Sequence, residues 1–219
     1  DIITLDYIDG ILKNKKAFID YFRFSIKKYG TNIDVKRTDL ALRLSRDTEL
    51  YKNRVREVSE YENLIPVISV KQDFVFKKRD LAGFIEELQE DNDTIALRIT
   101  EEYLDTYSEI VEKQLRETDY LLFDIGEQKP RSKIMELQEL EELALDANIV
   151  LLNSPRRAAV NNGEYNGTGI TDLIDNSARE LFITHSFEGF GDYCGLKDTL
   201  PSNDGGNGTG AALALLYDY

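Results

Sequence analysis

The 219-residue chain sets 41 acidic residues against 27 Lys and Arg, for a formal charge of −14 and a pI near 4.6. A surface this acidic excludes a whole-surface electrostatic grip on nucleic acid, although it is compatible with a local basic cleft. A single Cys excludes an intrachain disulfide and fits a reducing, cytoplasmic setting. No apolar run approaches the roughly 18–20 residues of a membrane span.

With 12 Tyr, 10 Phe and 42% hydrophobic residues, the chain has the means to bury an ordinary globular core. Its length suits one α/β domain spanning residues 1–219. The start, Asp-Ile-Ile-Thr-Leu-Asp-Tyr-Ile, lacks the basic opening of a signal peptide. There is no initiator Met, and the chain stops directly after an apolar run, so the ends read as those of a piece of a longer chain.

In chain order, Ile2 to Ile8 alternates like a strand, and Lys15 to Tyr29 has helical spacing through Phe18, Ile19, Phe22 and Ile26. Leu40 to Leu44 is a short strand candidate, followed by a charged helix from Asp47 to Tyr61. Strands follow at Leu64–Val70, Ile95–Thr100, Tyr120–Ile125, Ile149–Asn153, Leu181–Thr184 and Ala211–Asp218. Helices are predicted at Asp80–Gln89, Glu101–Arg116, Ser132–Asp146 and Thr171–Arg179. Eight strands alternating with helices predict a (β/α)8, TIM-barrel-like fold; the rival is an open doubly wound parallel sheet.

Ligands of parallel α/β proteins meet the carboxyl ends of the strands. Those ends carry Asp6, Arg43, Ser69 and Lys71, Arg98 and Thr100, Asp124 followed by Glu127, Asn153 with Ser154 and Arg156, His185, and Asp218. Alternation turns Arg98, Asp124 and Asp218 away from the helices, either as an internal ion pair or as part of a ligand-facing mouth. Lys71, Arg98, Arg156 and Arg157 make a local cationic cluster suited to a phosphate, a carboxylate or a nucleotide.

Residues 185–198 gather the single His, the single Cys, three Gly, Asp192 and Tyr193. As a loop over the mouth, this stretch would let Asp192 and Tyr193 reach a ligand. His185 is read either as an acid–base group or as a hydrogen-bonded histidine at a strand end. Cys194 lacks a local base and reads as a packed residue. Asp124, Glu127, Asp192 and Asp218 could together hold Mg²⁺, a hard cation that takes carboxylates and water, although no ligand-spacing motif supports this. The glycines of Gly205–Gly210 precede a strand rather than a helix and make no phosphate loop. The catalytic candidates are thus Asp124, His185 and Asp192. The ligand-binding candidates are Lys71, Arg98, Asn153, Arg156, Tyr193 and Asp218.

The segments Leu64-Ile-Pro-Val-Ile-Ser-Val, Ala96-Leu-Arg-Ile, Tyr120-Leu-Leu-Phe-Asp-Ile-Gly, Ile149-Val-Leu-Leu-Asn-Ser-Pro and Gly189-Phe-Gly-Asp-Tyr, in this order, resemble the beta family of phage and bacterial proteins. The resemblance runs from about residue 64 onward. It implies a TIM-barrel-like fold and an association with mobile elements or phage defence, and it supplies no catalytic residues. Two functions are compatible with these readings. One is a binding or interaction barrel recognising an anionic ligand or a protein partner. The other is a hydrolase or lyase acting on a phosphate-bearing substrate, with Lys71 and Arg98 as anion clamps.

Overall fold

Leu64–Val70 is buried at every one of its seven positions, as a strand is when both faces of a parallel sheet are covered. It is the second strand, β2, of a sheet seen in a computed structural model that describes residues 2–13, 15–25, 35–143, 145–154, 166–167, 170–171, 175, 177–185 and 187–191. The chain runs α1 (Ile2–Leu12), β1 (Ala17–Ile19), α2 (Val35–Arg46), α3 (Thr48–Val58), β2, α4 (Lys78–Asp91), β3 (Ala96–Thr100) and α5 (Leu104–Gln114). It continues through β4 (Tyr120–Asp124), α6 (Ile134–Glu142), β5 (Asn148–Leu152), a short antiparallel pair β6 (Asn166–Gly167) and β7 (Ile170–Thr171), α7 (Ser177–Thr184) and β8 (Gly189–Gly191).

The main sheet has the order β1-β2-β3-β4-β5-β8, and every neighbouring pair is parallel. Side-chain alternation splits its residues between two faces. Ile68, Val70, Leu97, Ile99, Leu121, Phe123 and Leu151 join the larger core with α3, α4, α5 and α6. The helices meet them with residues at helical spacing, such as Leu81, Phe84, Ile85 and Leu88 of α4. Ile65, Val67, Ala96 and Leu122 form the core of the other face.

That second face is concave. Three steps of about 4.8 Å would hold β1 and β4 roughly 14 Å apart in a flat sheet. Yet the rings of Phe18 on β1 and Tyr120 on β4 meet edge to face at 5.1 Å between centroids. An α/β fold whose strands pair in chain order and whose sheet curls this strongly has the shape of part of a barrel.

The predicted elements from Asp47 to Asn153 occur with small shifts at their ends, but the N-terminal third differs. Ile2–Leu12 is a helix rather than a strand, because Leu5, Ile8 and Leu12 line one helical face against Val58 and Leu64. Ala17–Ile19 is a strand inside the expected helix, paired in register with Leu64–Pro66. Leu40–Leu44 lies within α2, where Leu44 is buried and Arg43 is exposed beside Asp39. The expected strand at Leu181–Thr184 is the second half of α7, and the sheet instead continues through Gly189–Gly191. A Cβ added at Gly191 would stand 3.3 Å from Leu152 Cδ2, so a side chain there requires the Leu152 side chain to shift by a few tenths of an ångström. The expected strand Ala211–Asp218 lies outside the described residues.

Candidate functional site

Ser69, Arg98 and Asp124 stand on three adjacent strands: Ser69 is opposite Arg98 in the β2–β3 pairing, and Asp124 is opposite Thr100, two residues beyond Arg98, in the β3–β4 pairing. Arg98 is 6% exposed and Asp124 2%. The guanidinium donates to Asp124 Oδ2 through Nε at 2.9 Å and Nη2 at 2.5 Å, while Asp124 Oδ1 accepts from Gly126 N–H at 2.8 Å. The remaining nitrogen, Nη1, donates to Asp20 Oδ2 at 2.6 Å, and the same oxygen accepts from the Ser69 hydroxyl at 3.2 Å. A buried arginine flanked by two carboxylates meets the condition that buried charge be paired.

Arg23, 3% exposed, lies at the carboxyl ends of β1 and β2. Its Nη2 donates to Ser69 C=O at 2.5 Å, and its guanidinium carbon lies 3.6 Å from the Tyr51 ring centre, with Phe74 and Phe76 further out. Burial pulls the Arg23 pKa down, opposed by Tyr51 and Asp20. Burial also pushes the Tyr51 phenol up to about 12. That phenol accepts from Ser69 N–H at 2.8 Å. Lys71, also buried, places Nζ 5.1 Å from the centre of the Phe22 ring.

Asn153 holds the loop after β4: its amide donates to the carbonyls of Gly126 and Gln128, both at 2.8 Å. Gly126 there takes φ +59, a conformation that glycine adopts without strain. The loops after β3 and β4 are tied by Gln128 to Glu101, while Lys133 Nζ lies 2.8 Å from Glu101 and 3.0 Å from Glu136. Among the described residues, the polar atoms buried without a hydrogen-bond partner include Asp20 Oδ1, Arg23 Nε, Thr100 Oγ1 and Asn153 Oδ1 near these strand ends.

The structure therefore brings Lys71, Arg98, Asp124 and Asn153 to the carboxyl ends of neighbouring strands. Asp6 is placed elsewhere: it belongs to α1 and accepts from the Tyr61 hydroxyl at 2.8 Å, at the amino end of β2. His185 follows α7 rather than a strand. Its Nδ1 lies 2.8 Å from Glu141 of α6, and its ring stacks on Phe187 of the helix-side core, behind the sheet. Arg156, Asp192, Tyr193 and Asp218, with Arg157 and Cys194, lie outside the described residues. Among the described residues no group of three or more His, Cys, Asp or Glu is arranged to hold a metal ion.

Asp20, Arg23 and Tyr51 were missing from the sequence-based candidates. A signal for the first was present: Phe18, Asp20 and Phe22 alternate along a strand, but the same run also fits helical spacing. No family model, curated protein or solved structure matches this chain. Fold and site together define a parallel α/β protein with a polar, partly ion-paired carboxyl end. Among the described residues no helix is long and apolar enough to cross a membrane.

Proposed function

We propose that this chain is a cytoplasmic binding barrel of the TIM-barrel-like (β/α)8 kind that recognises an anionic ligand at the carboxyl ends of its strands. The observation that carries the reading is the collection of three cations, Arg23, Lys71 and Arg98, each at least nine-tenths buried, at one end of the sheet of a chain with charge −14. Burying a cation is costly, and because Asp20 and Asp124 already pair Arg98, the weight falls on Arg23, whose buried Nε has no hydrogen-bond partner, with Lys71 as a further buried cation at this end. Binding is favoured over turnover because both oxygens of Asp124 are engaged, one by Arg98 and one by Gly126, which leaves it poorly placed as a proton acceptor. A place in a phage-related or antiviral-defence system rests on the beta-family resemblance alone.

The test is thermal unfolding in the presence of inorganic phosphate, simple phosphate esters and polycarboxylates, with uncharged analogues as controls. A ligand that binds the folded state raises the melting temperature with concentration. The reading requires a rise for at least one anion and its loss in Lys71→Gln. If no anion shifts the melting temperature while a co-purifying protein does, the mouth is a protein-recognition surface instead.

A further inference from the structure

Arg23 is 3% exposed, so a dissolved ligand has no access to its guanidinium while its surroundings stay in place. The aromatic groups around it differ in how firmly they are held. Tyr51, whose ring centre lies 3.6 Å from the guanidinium carbon, is fully buried and accepts from Ser69 N–H. Phe76, at 5.8 Å, belongs to the helix-side core. Its backbone is gripped by the Tyr107 hydroxyl, which accepts from Phe76 N–H at 3.2 Å and donates to Phe76 C=O at 2.5 Å.

Phe74, at 4.7 Å, is held differently. It is only partly buried, and it stands in a surface turn, residues 72–75, whose other three members are exposed. The hydrogen bond from Phe74 N–H to Lys71 C=O, at 2.9 Å, closes the turn on itself rather than tying it to a helix. At the apex Asp73 takes φ +67, a left-handed conformation uncommon for a residue with a side chain. A short segment with few buried apolar contacts and a strained apex opens more readily than the core beneath it.

We propose that residues 72–75 form a strap that holds the Phe74 ring over Arg23 and lifts to admit an anion to the guanidinium. The inference rests on the anionic-ligand reading above and adds its gate. An anion binds the lifted form, so its apparent affinity is lowered by the fraction of molecules in which the strap is up. Lifting exchanges the aromatic face of Phe74 for the charge-assisted hydrogen bonds of a phosphate or carboxylate.

The experiment pairs arginine labelling with binding. Phenylglyoxal modification of the purified chain, read residue by residue by mass spectrometry, reports access to Arg23, with exposed Arg79 and buried Arg98 as references. Isothermal titration with inorganic phosphate reports affinity. Phe74→Ala removes the cover. Asp73→Val leaves the ring in place but puts a β-branched side chain at the left-handed apex, which disfavours the closed turn. Both variants should label Arg23 at least about 10-fold faster than the unaltered chain and bind phosphate correspondingly more tightly. That is the gain expected when a form populated at about a tenth or less becomes dominant. Arg98 should stay protected in both, and phosphate should slow the labelling of Arg23. Unchanged Arg23 labelling in both variants would overturn the strap, and the anionic reading would then stand or fall on phosphate binding alone. Labelling of Arg23 and Arg98 together would show that residues 72–75 hold the core itself, and would also overturn the strap. Faster labelling of Arg23 alone, with no phosphate binding by any of the three chains, would keep the strap and overturn the anionic reading.

Discussion

Arg98 Nη1 and Asp20 Oδ2, 78 residues apart in the chain, meet at 2.6 Å across the concave face of the sheet. Because the same guanidinium also grips Asp124, one side chain joins the carboxyl end of β1 to β4, strands that a flat sheet would hold far apart. The ion cluster is thus tied to the curvature, and the curvature brings the polar strand ends together.

Replacing Arg98 by Met leaves the Asp20 and Asp124 carboxylates close together without their cation. The expected loss is about 3–5 kcal/mol, as for other broken buried pairs. Urea unfolding of Arg98→Met against the triple variant Arg98→Met, Asp20→Asn, Asp124→Asn measures it. The triple variant should recover part of the loss, and a triple variant no more stable than the single one would show that the cost lies in packing.

A second clasp, at the amino ends of the strands, centres on Asp119, which is fully buried. Its carboxylate accepts from Ile95 N–H, from Arg116 N–H and two guanidinium nitrogens, and from Gln89 Nε2, at 2.7–3.2 Å. Burial pushes its pKa up, but the hydrogen bonds from Arg116, Ile95 and Gln89 outweigh burial and hold it below the ordinary carboxylate value. Because the folded pKa is depressed, the contribution is fully present above the unfolded value of about 3.9 and disappears as pH falls through the folded one. Asp119→Ala should cost about 2–4 kcal/mol at neutral pH and flatten the acid limb of the stability curve below about pH 4. Denaturant midpoints at a series of pH values check both.

Tyr51 titrates in the opposite sense. Its phenol is pushed up to about 12 by burial, so the folded state keeps a proton that the unfolded state releases near pH 10. The corresponding stability is complete below about pH 10 and is lost as pH rises toward 12. Tyr51→Phe removes this alkaline dependence and orphans Ser69 N–H, at a cost of about 1–3 kcal/mol. Ultraviolet titration of tyrosinate absorbance and alkaline unfolding should both change in the variant.

His185 offers a negative control. It packs against Glu141 and Phe187 on the helix side of the sheet, so His185→Phe should leave any anion affinity at the mouth unchanged. It should alter stability by only about 1 kcal/mol, because its partner Glu141 remains partly solvated. A several-fold loss of anion affinity in this variant would place His185 in the site after all.

From Asp47 to Asn153 the chain's own pattern was sufficient to locate its elements. Largely apolar runs such as Leu64–Val70 and Tyr120–Asp124 have few alternatives to buried strands, and the helices between them bury one regular stripe. The inward turn of Arg98 and Asp124 also followed from period-two alternation, which is a local property. The N-terminal third was different, because Ile2–Leu12 and Ala17–Ile19 each carry apolar residues that fit either period. Their states were decided by partners distant in sequence: Val58 and Leu64 for the helix, and the edge of β2 for the strand. The same holds for His185, whose position depended on whether Leu181–Thr184 formed strand or helix. The sequence alone determined which residues are polar at the strand ends. Only the tertiary structure decided that Asp20 and Arg23 join them, because that depends on how far the sheet curls, and curl is a property of packed strands together rather than of any one of them.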